Sequence, residues 1–285
     1  MNLRTHIAIC LACLTCVNLA HAQTPEFPPS RHTVARSELR ILPLAVDGLQ
    51  YQLHVGLPMS YAKNLQKRYP VVYVTDAYWD FTKIFTSENE LVFDKKVPEY
   101  ITVGLGYAGD KFNVHALRQR DLLPMPLPQM GSNTGHAAQF LQMLETQAIA
   151  LVDREYRTDP NHRVLAGASF GGLFTLYAML TKPQLFQGYI AATPSVMSGN
   201  DWLFDYEDAF AKSGQTIKGR LFMAVGEDEY VKHVRSIEQF DKRLRSRKYP
   251  GLDYTFRVID GQSHAGMQQE AYVRGLTYTF APYKP

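Results

Sequence analysis

The sequence predicts an α/β protein: a mostly parallel sheet, an antiparallel hairpin at its N-terminal edge and helices on both faces. Three observations carry this. Continuous apolar runs recur along the chain. Segments of helical period separate several of them. One of the runs leads through a cluster of small residues, "RVLAGASFGGLFTLYAML" at 163–180, into an apolar helix-like stretch.

Residues 36–57 read as two alternating strands with a turn at Asp47-Gly48; Tyr51, Leu53 and Val55 show period two. The next runs do not alternate: "VVYV" at 71–74, "ITVGLG" at 101–106, "RVLAGA" at 163–168, "YIAAT" at 189–193, "LFMAVG" at 221–226 and, last, "YTFRVID" at 254–260. Unbroken β-branched and aromatic runs suit strands covered on both faces, as in a parallel sheet. Phe140, Leu141, Leu144, Ala148, Leu151 and Val152 fall on one helical face, as do Val231, Val234, Ile237, Phe240 and Leu244. Strands alternating with helices give a doubly wound sheet, whose ligands bind beyond the carboxyl ends of its strands. Residues 107–135, including "LLPMPLPQM", have no clear period and read as a long ordered loop over that end.

Gly167-Ala168-Ser169-Phe170-Gly171 matches G-x-S-x-G. A strand before it and a helix after it turn a short motif into a nucleophile elbow. The turn is sharp, so the residues two places either side of the serine must lack a Cβ. The hydroxyl then projects at a helix N-terminus, and the N–H of Phe170 faces an oxyanion formed there. The bland alternative is a glycine-rich turn with a capping serine.

A serine is a weak nucleophile without a base. In this chain order an acid and then a histidine follow, each after a later strand. His264, in "DGQSHAGM", follows the last strand and is the candidate base. Glu227, Asp228 and Glu229 follow "LFMAVG". A carboxylate there accepts the imidazole Nδ1–H and fixes its tautomer. Glu229 is favoured and Asp228 is the alternative; three solvated loop charges are the competing reading.

At the N-terminus Arg4 precedes an apolar stretch ending at Ala20-His21-Ala22. A basic start, a short apolar core and a small-x-small site describe a secretory signal peptide over residues 1–22, leaving 23–285 as a single domain. The apolar run is shorter than the roughly 20 residues a membrane span needs. Cys10, Cys13 and Cys16 all fall in this segment, so a cleaved chain has neither disulfide nor thiolate nucleophile. Export to the periplasm or beyond follows as the expected location. The formal charge of +3 in 285 residues, with no dense basic tract, gives no sign of a nucleic-acid partner or a charge-driven membrane partner. No metal or organic cofactor is implied; the expected partner is a small-molecule ester.

These residues make the chain resemble the putative-esterase (esterase D-like) family of α/β hydrolases, and most of all its periplasmic siderophore-esterase-like branch. "RYPVVYVTDAYWDF" resembles that family's strand and oxyanion loop, with Ala77 where a glycine is usual. "ITVGLGY" and then "RQRDLLP" resemble its next strand and Arg-x-x-Asp-Leu-x-Pro loop, with Arg120 and Asp121 standing for the charged pair. Two departures are plain: Ala168 replaces a histidine, and Thr193-Pro194-Ser195-Val196-Met197 replaces serine-proline-serine with following tryptophans. The resemblance implies the α/β-hydrolase fold and a serine esterase working through an acyl-enzyme. Ala77 and Phe170 would supply the oxyanion hole, and Arg120 in a cap loop would bind substrate. Some relatives work with a Ser-His pair alone. An acyltransferase using the same acyl-enzyme, or a non-catalytic binding module on this fold, are the alternatives.

Overall fold

The computed structural model describes residues 33–44, 48–109 and 112–283. The expected signal peptide with its three cysteines, and Asp47 of the expected turn, lie outside the described residues. The strands are β1 (Ser37–Ile41), β2 (Tyr51–Gly56), β3 (Tyr69–Val74), β4 (Ile101–Tyr107), β5 (Thr158–Ala168), β6 (Gly188–Ala192), β7 (Gly219–Gly226) and β8 (Leu252–Ile259). They form one sheet in the order β1-β2-β4-β3-β5-β6-β7-β8. β1 pairs antiparallel with β2, and β2 with β4. All pairings from β4 to β8 are parallel.

Burial follows position in the sheet. β3, β4 and β6 are buried at every residue, whereas β2 alternates at its start and β8, at the edge, keeps much of its length at the surface. Side chains alternate between two apolar layers. Val71, Tyr73 and Leu165 point into one layer, and Val72, Val74, Val164 and Ala166 into the other. The helices α1 (Ala77–Phe93) and α8 (Met267–Phe280) cover the second layer, through Ile84, Leu91, Tyr272 and Leu276. The first layer is covered by α3 (Ala137–Met143), which runs through a π-helical turn at Leu144–Ile149 into α4 (Ala150–Glu155), and by α5 (Phe170–Thr181), α6 (Ser198–Ser213) and α7 (Val231–Arg247).

The segment read as an aperiodic loop contains a helix, α2 (Val114–Leu122), capped by the Asn113 side chain accepting from Ala116 N–H at 3.1 Å. Its sequence, VHALRQRDL, carries no apolar stripe, which is why the helix was invisible to periodicity. The apolar residues that follow do not stand open over the sheet. Leu122, Leu123, Met125 and Leu127 are buried within the first layer. Among the described residues no helix is long and apolar enough to cross a membrane.

Candidate active site

Ser169 sits between β5 and α5 with φ 57° and ψ −116°. A non-glycine residue with positive φ is uncommon, and here the two glycines make it possible. A Cβ on Gly167 would strike the Gly171 carbonyl, and one on Gly171 would overlap Thr75 Oγ1. The turn is held by Ser169 N–H donating to the Ala192 carbonyl at 3.0 Å and by Ser195 N–H donating to the Ser169 carbonyl at 3.1 Å. The Ser169 hydroxyl lies 3.3 Å from the Ser195 hydroxyl. Among the described residues no hydrogen bond joins it to His264.

The loops after β7 and β8 bring the other two groups together. His264 Nδ1 is 2.6 Å from Glu229 Oε2. A carboxylate can only accept, so Nδ1 carries the proton and Nε2 keeps its lone pair, the tautomer a general base needs. The Glu229 side chain is almost wholly buried while that of His264 is 46% exposed, so the acid is fixed in the interior and the base opens to the surface. Burial pushes the Glu229 carboxyl up. Hydrogen bonds from His264, the Thr193 hydroxyl and Gly226 N–H outweigh it and hold the group below the usual glutamate range. Asp228, the alternative acid, is exposed, and Glu227 accepts Gly261 N–H at 3.0 Å. Of the three consecutive acids, only Glu229 meets the histidine.

Ala77 and Phe170 are the first residues of α1 and α5, so neither N–H has an acceptor within its helix. Both helices start at the carboxyl ends of adjacent strands, β3 and β5. Their N-terminal partial charges therefore converge on one region, as an oxyanion requires. Asp76, just before Ala77, has φ 53° and ψ 49°. Its carboxylate does not cap α1; it takes both forks of Arg118, at 2.9 and 2.8 Å. The Arg118 guanidinium also lies 5.2 Å from the centre of the Phe170 ring and 5.7 Å from that of Trp79. It thus joins α2 to the Phe170 ring and to Asp76, the residue before Ala77.

Arg120, the arginine expected to meet substrate, is elsewhere. It is buried in an ion pair with Asp121, and its Nη1 lies 3.3 Å from the Tyr51 hydroxyl, which in turn donates to Asp121 at 2.9 Å. Counting back from Asp121, the Arg-x-x-Asp spacing lands on Arg118, not Arg120.

Two more polar residues meet here: His233, which the sequence does not single out, and Thr193, which it marks only as a departure from the family pattern. His233 falls on the buried side of α7, where it reads as one more helix residue. Its Nε2 lies 2.8 Å from Thr193 Oγ1 and 3.4 Å from Glu229 Oε2. Glu229, His233 and His264 bring potential metal-ligating atoms within 4.8 Å of one another. The 2.6 Å Glu229–His264 separation is well below the roughly 3.3 Å between ligand atoms that a tetrahedral zinc with bonds of about 2.0 Å imposes.

Residues 48–268 match the model of the Esterase family, described as Putative esterase. The chain is 26% identical over 278 residues to ferri-bacillibactin esterase BesA of Bacillus subtilis (strain 168), covering 89% of this chain and 92% of that one. Among solved structures, the BES protein from Bacillus cereus superposes with a TM-score of 0.79 at 22% identity, over 90% of this chain and 99% of that one. The siderophore hydrolase EstA from Aspergillus nidulans gives 0.75 at 20% identity, over 90% and 99%. These structural likenesses show the shared α/β-hydrolase fold. With a family model matched across most of its length, from β2 to the start of α8, the chain belongs to the Putative esterase family.

Proposed function

We propose that this protein is a serine esterase that hydrolyses carboxylic esters through an acyl-enzyme, with Ser169 as nucleophile, His264 as base and Glu229 as acid. The observation that carries the reading is the 2.6 Å Glu229–His264 contact beside a serine at a strained strand–helix turn. The Ser169 hydroxyl turns from Ser195 toward His264 Nε2 and gives up its proton as Oγ bonds to the ester carbonyl carbon. The carbonyl electron pair moves onto oxygen, facing the N–H groups of Ala77 and Phe170. Collapse of this intermediate expels the alcohol, which takes its proton from His264 Nε2. Water, deprotonated by His264, then frees the acid and restores the serine. Glu229 holds the imidazole in place and stabilises its charged form.

Bulky aryl-acyl esters, siderophore esters among them, are the proposed substrates. Tyr78 and Trp79, in the first turn of α1 beside Ala77, keep about 40% of their surface exposed, and the Arg118 guanidinium flanks Trp79. An aromatic face backed by a cation suits an electron-rich aryl group with oxygen substituents. The relatives described above are named a ferri-bacillibactin esterase and a siderophore hydrolase. The leader-like residues 1–22 support action in the periplasm or outside the cell.

The test is Ser169→Ala on a folded protein. Hydrolysis of p-nitrophenyl acetate should fall by about four orders of magnitude or more, and labelling by a fluorophosphonate should vanish. Retention of activity within tenfold of wild type would remove the assignment.

A further inference from the structure

Thr193 follows β6 and carries a φ of 40°, a conformation that a β-branched residue rarely adopts. It is pinned there by its N–H donating to the Ala224 carbonyl at 2.7 Å. The result is a hydroxyl placed at the centre of three titratable groups. Thr193 Oγ1 lies 2.7 Å from Glu229 Oε2, 2.8 Å from His233 Nε2 and 3.2 Å from His264 Nδ1. Two residues on, Ser195 touches the Ser169 hydroxyl. One short loop therefore reaches both ends of the proposed catalytic group.

A threonine hydroxyl has one proton, which settles the direction of each bond. Glu229 Oε2 is an acceptor, so the Thr193 proton points at it. Thr193 Oγ1 can then only accept from His233, whose Nε2 must carry the hydrogen. Burial holds the His233 imidazole below the ordinary histidine range, with the Glu229 charge opposing and that of His264 adding to it. His233 and His264 face each other with ring centres 5.5 Å apart, and Glu229 lies between their nitrogens.

Building on the esterase reading above, we infer that Thr193 and His233 are positioning residues for the acid: His233 Nε2–H orients the Thr193 hydroxyl, and the hydroxyl holds Glu229 Oε2 against His264 Nδ1. Neither touches substrate. Their effect passes through Glu229 to the imidazole and shows in turnover, not in substrate binding. Because the shorter contact of His233 Nε2 is to Thr193, at 2.8 Å against 3.4 Å to Glu229, most of its effect passes through Thr193 and the two should be strongly non-additive.

The test uses the full chain and p-nitrophenyl acetate, with Thr193→Val, Thr193→Ser, His233→Leu, His233→Gln and the Thr193→Val/His233→Leu double variant. Thr193→Val keeps the shape and loses the hydroxyl; it should lower kcat about tenfold, the scale of one hydrogen bond to a charged group, at unchanged KM. Thr193→Ser should restore most of that loss. His233→Leu should lower kcat by a smaller factor, and His233→Gln, which keeps an N–H donor, should recover it. The double variant should lose little more than Thr193→Val alone. Wild-type kcat in Thr193→Val overturns the inference. So do equal losses in Leu and Gln, or a His233→Leu loss undiminished in the Thr193→Val background. If His233→Leu does not fold, the Val–Ser contrast at Thr193 decides alone. Ser169→Ala separates the two readings: if that variant stays active the esterase assignment fails, whereas an inactive Ser169→Ala beside a fully active Thr193→Val sinks only the positioning role.

Discussion

α2 and the loop after β7 each carry neighbouring like charges with opposite fates. In the β7 loop the buried charge, Glu229, faces the candidate site, and the exposed one, Asp228, faces solvent. In α2 the order is reversed. The buried charge, Arg120, is locked to Asp121 and Tyr51 in the core, and the less buried Arg118 reaches Asp76 and Phe170 at the site. Burial therefore does not tell which member of a pair faces the candidate site; the partner does. A buried carboxylate held by three donors is kept ionised for its task. A buried arginine beside a buried aspartate neutralises a charge the fold would otherwise carry unpaired.

The acid loop gives the largest contrast. Glu229→Gln should lower kcat by on the order of 10³–10⁴, because an amide cannot stabilise the imidazolium and can favour the wrong tautomer. Steady-state kinetics with p-nitrophenyl acetate measures it; a loss below tenfold would favour a Ser-His pair.

Next is Arg120→Ala, which strands the Asp121 carboxylate in the core. A loss of about 3 kcal/mol or more is expected, seen as a fall in Tm of roughly 6–12 °C for a chain of this size. The KM of the folded fraction should not change. Arg118→Ala also strands a buried carboxylate, that of Asp76, so Tm should fall here too. Unlike Arg120→Ala it also frees the start of α1, so kcat/KM of the folded protein for a bulky aryl ester should drop about tenfold. Arg118→Lys should not rescue it, since a point charge cannot reproduce a two-pronged contact. If Arg120→Ala lowered kcat/KM of the folded protein and Arg118→Ala did not, the contrast between the two arginines would be inverted.

Two carboxylates separate the regions by pH. Burial pushes Asp121 up to about 6 against the pull of Arg120 and Tyr51, while Glu229 lies below its usual range. The folded state binds an extra proton at Asp121 between about pH 4 and 6, so stability from this residue falls as pH rises through that window. Asp121→Asn should flatten that fall in denaturant titrations. Glu229 has the opposite sign: its contribution is present above the unfolded glutamate pKa and is lost as pH drops through the lower folded value. The smallest effect is expected at Asp228. Asp228→Asn, an exposed change away from every contact named here, should alter kcat/KM by no more than about twofold.

What the sequence determined by itself was local. The strands were legible because a buried parallel strand needs an unbroken apolar run. The elbow was legible because a turn that tight excludes side chains two residues from the serine, and Gly167 and Gly171 can be read directly. The order of serine, acids and histidine placed Glu229 and His264 after the last two strands, where the structure brings them into contact. Tertiary structure decided everything that depends on which way a side chain points. Three acids in a row share a composition but not a direction: the sequence favours Glu229 with Asp228 as the alternative, and packing puts Glu229 alone against His264. α2 has no apolar stripe, and its helix is held by an Asn113 cap and by the Arg118–Asp76 and Arg120–Tyr51 contacts that no period reveals. Arg118 and Arg120 are two residues apart on that helix, about 200° around its axis. That rotation sends one to Asp76 and the other into the core. Thr193 and His233, 40 residues apart, become neighbours only when β6 and β7 pair and α7 packs back on the sheet.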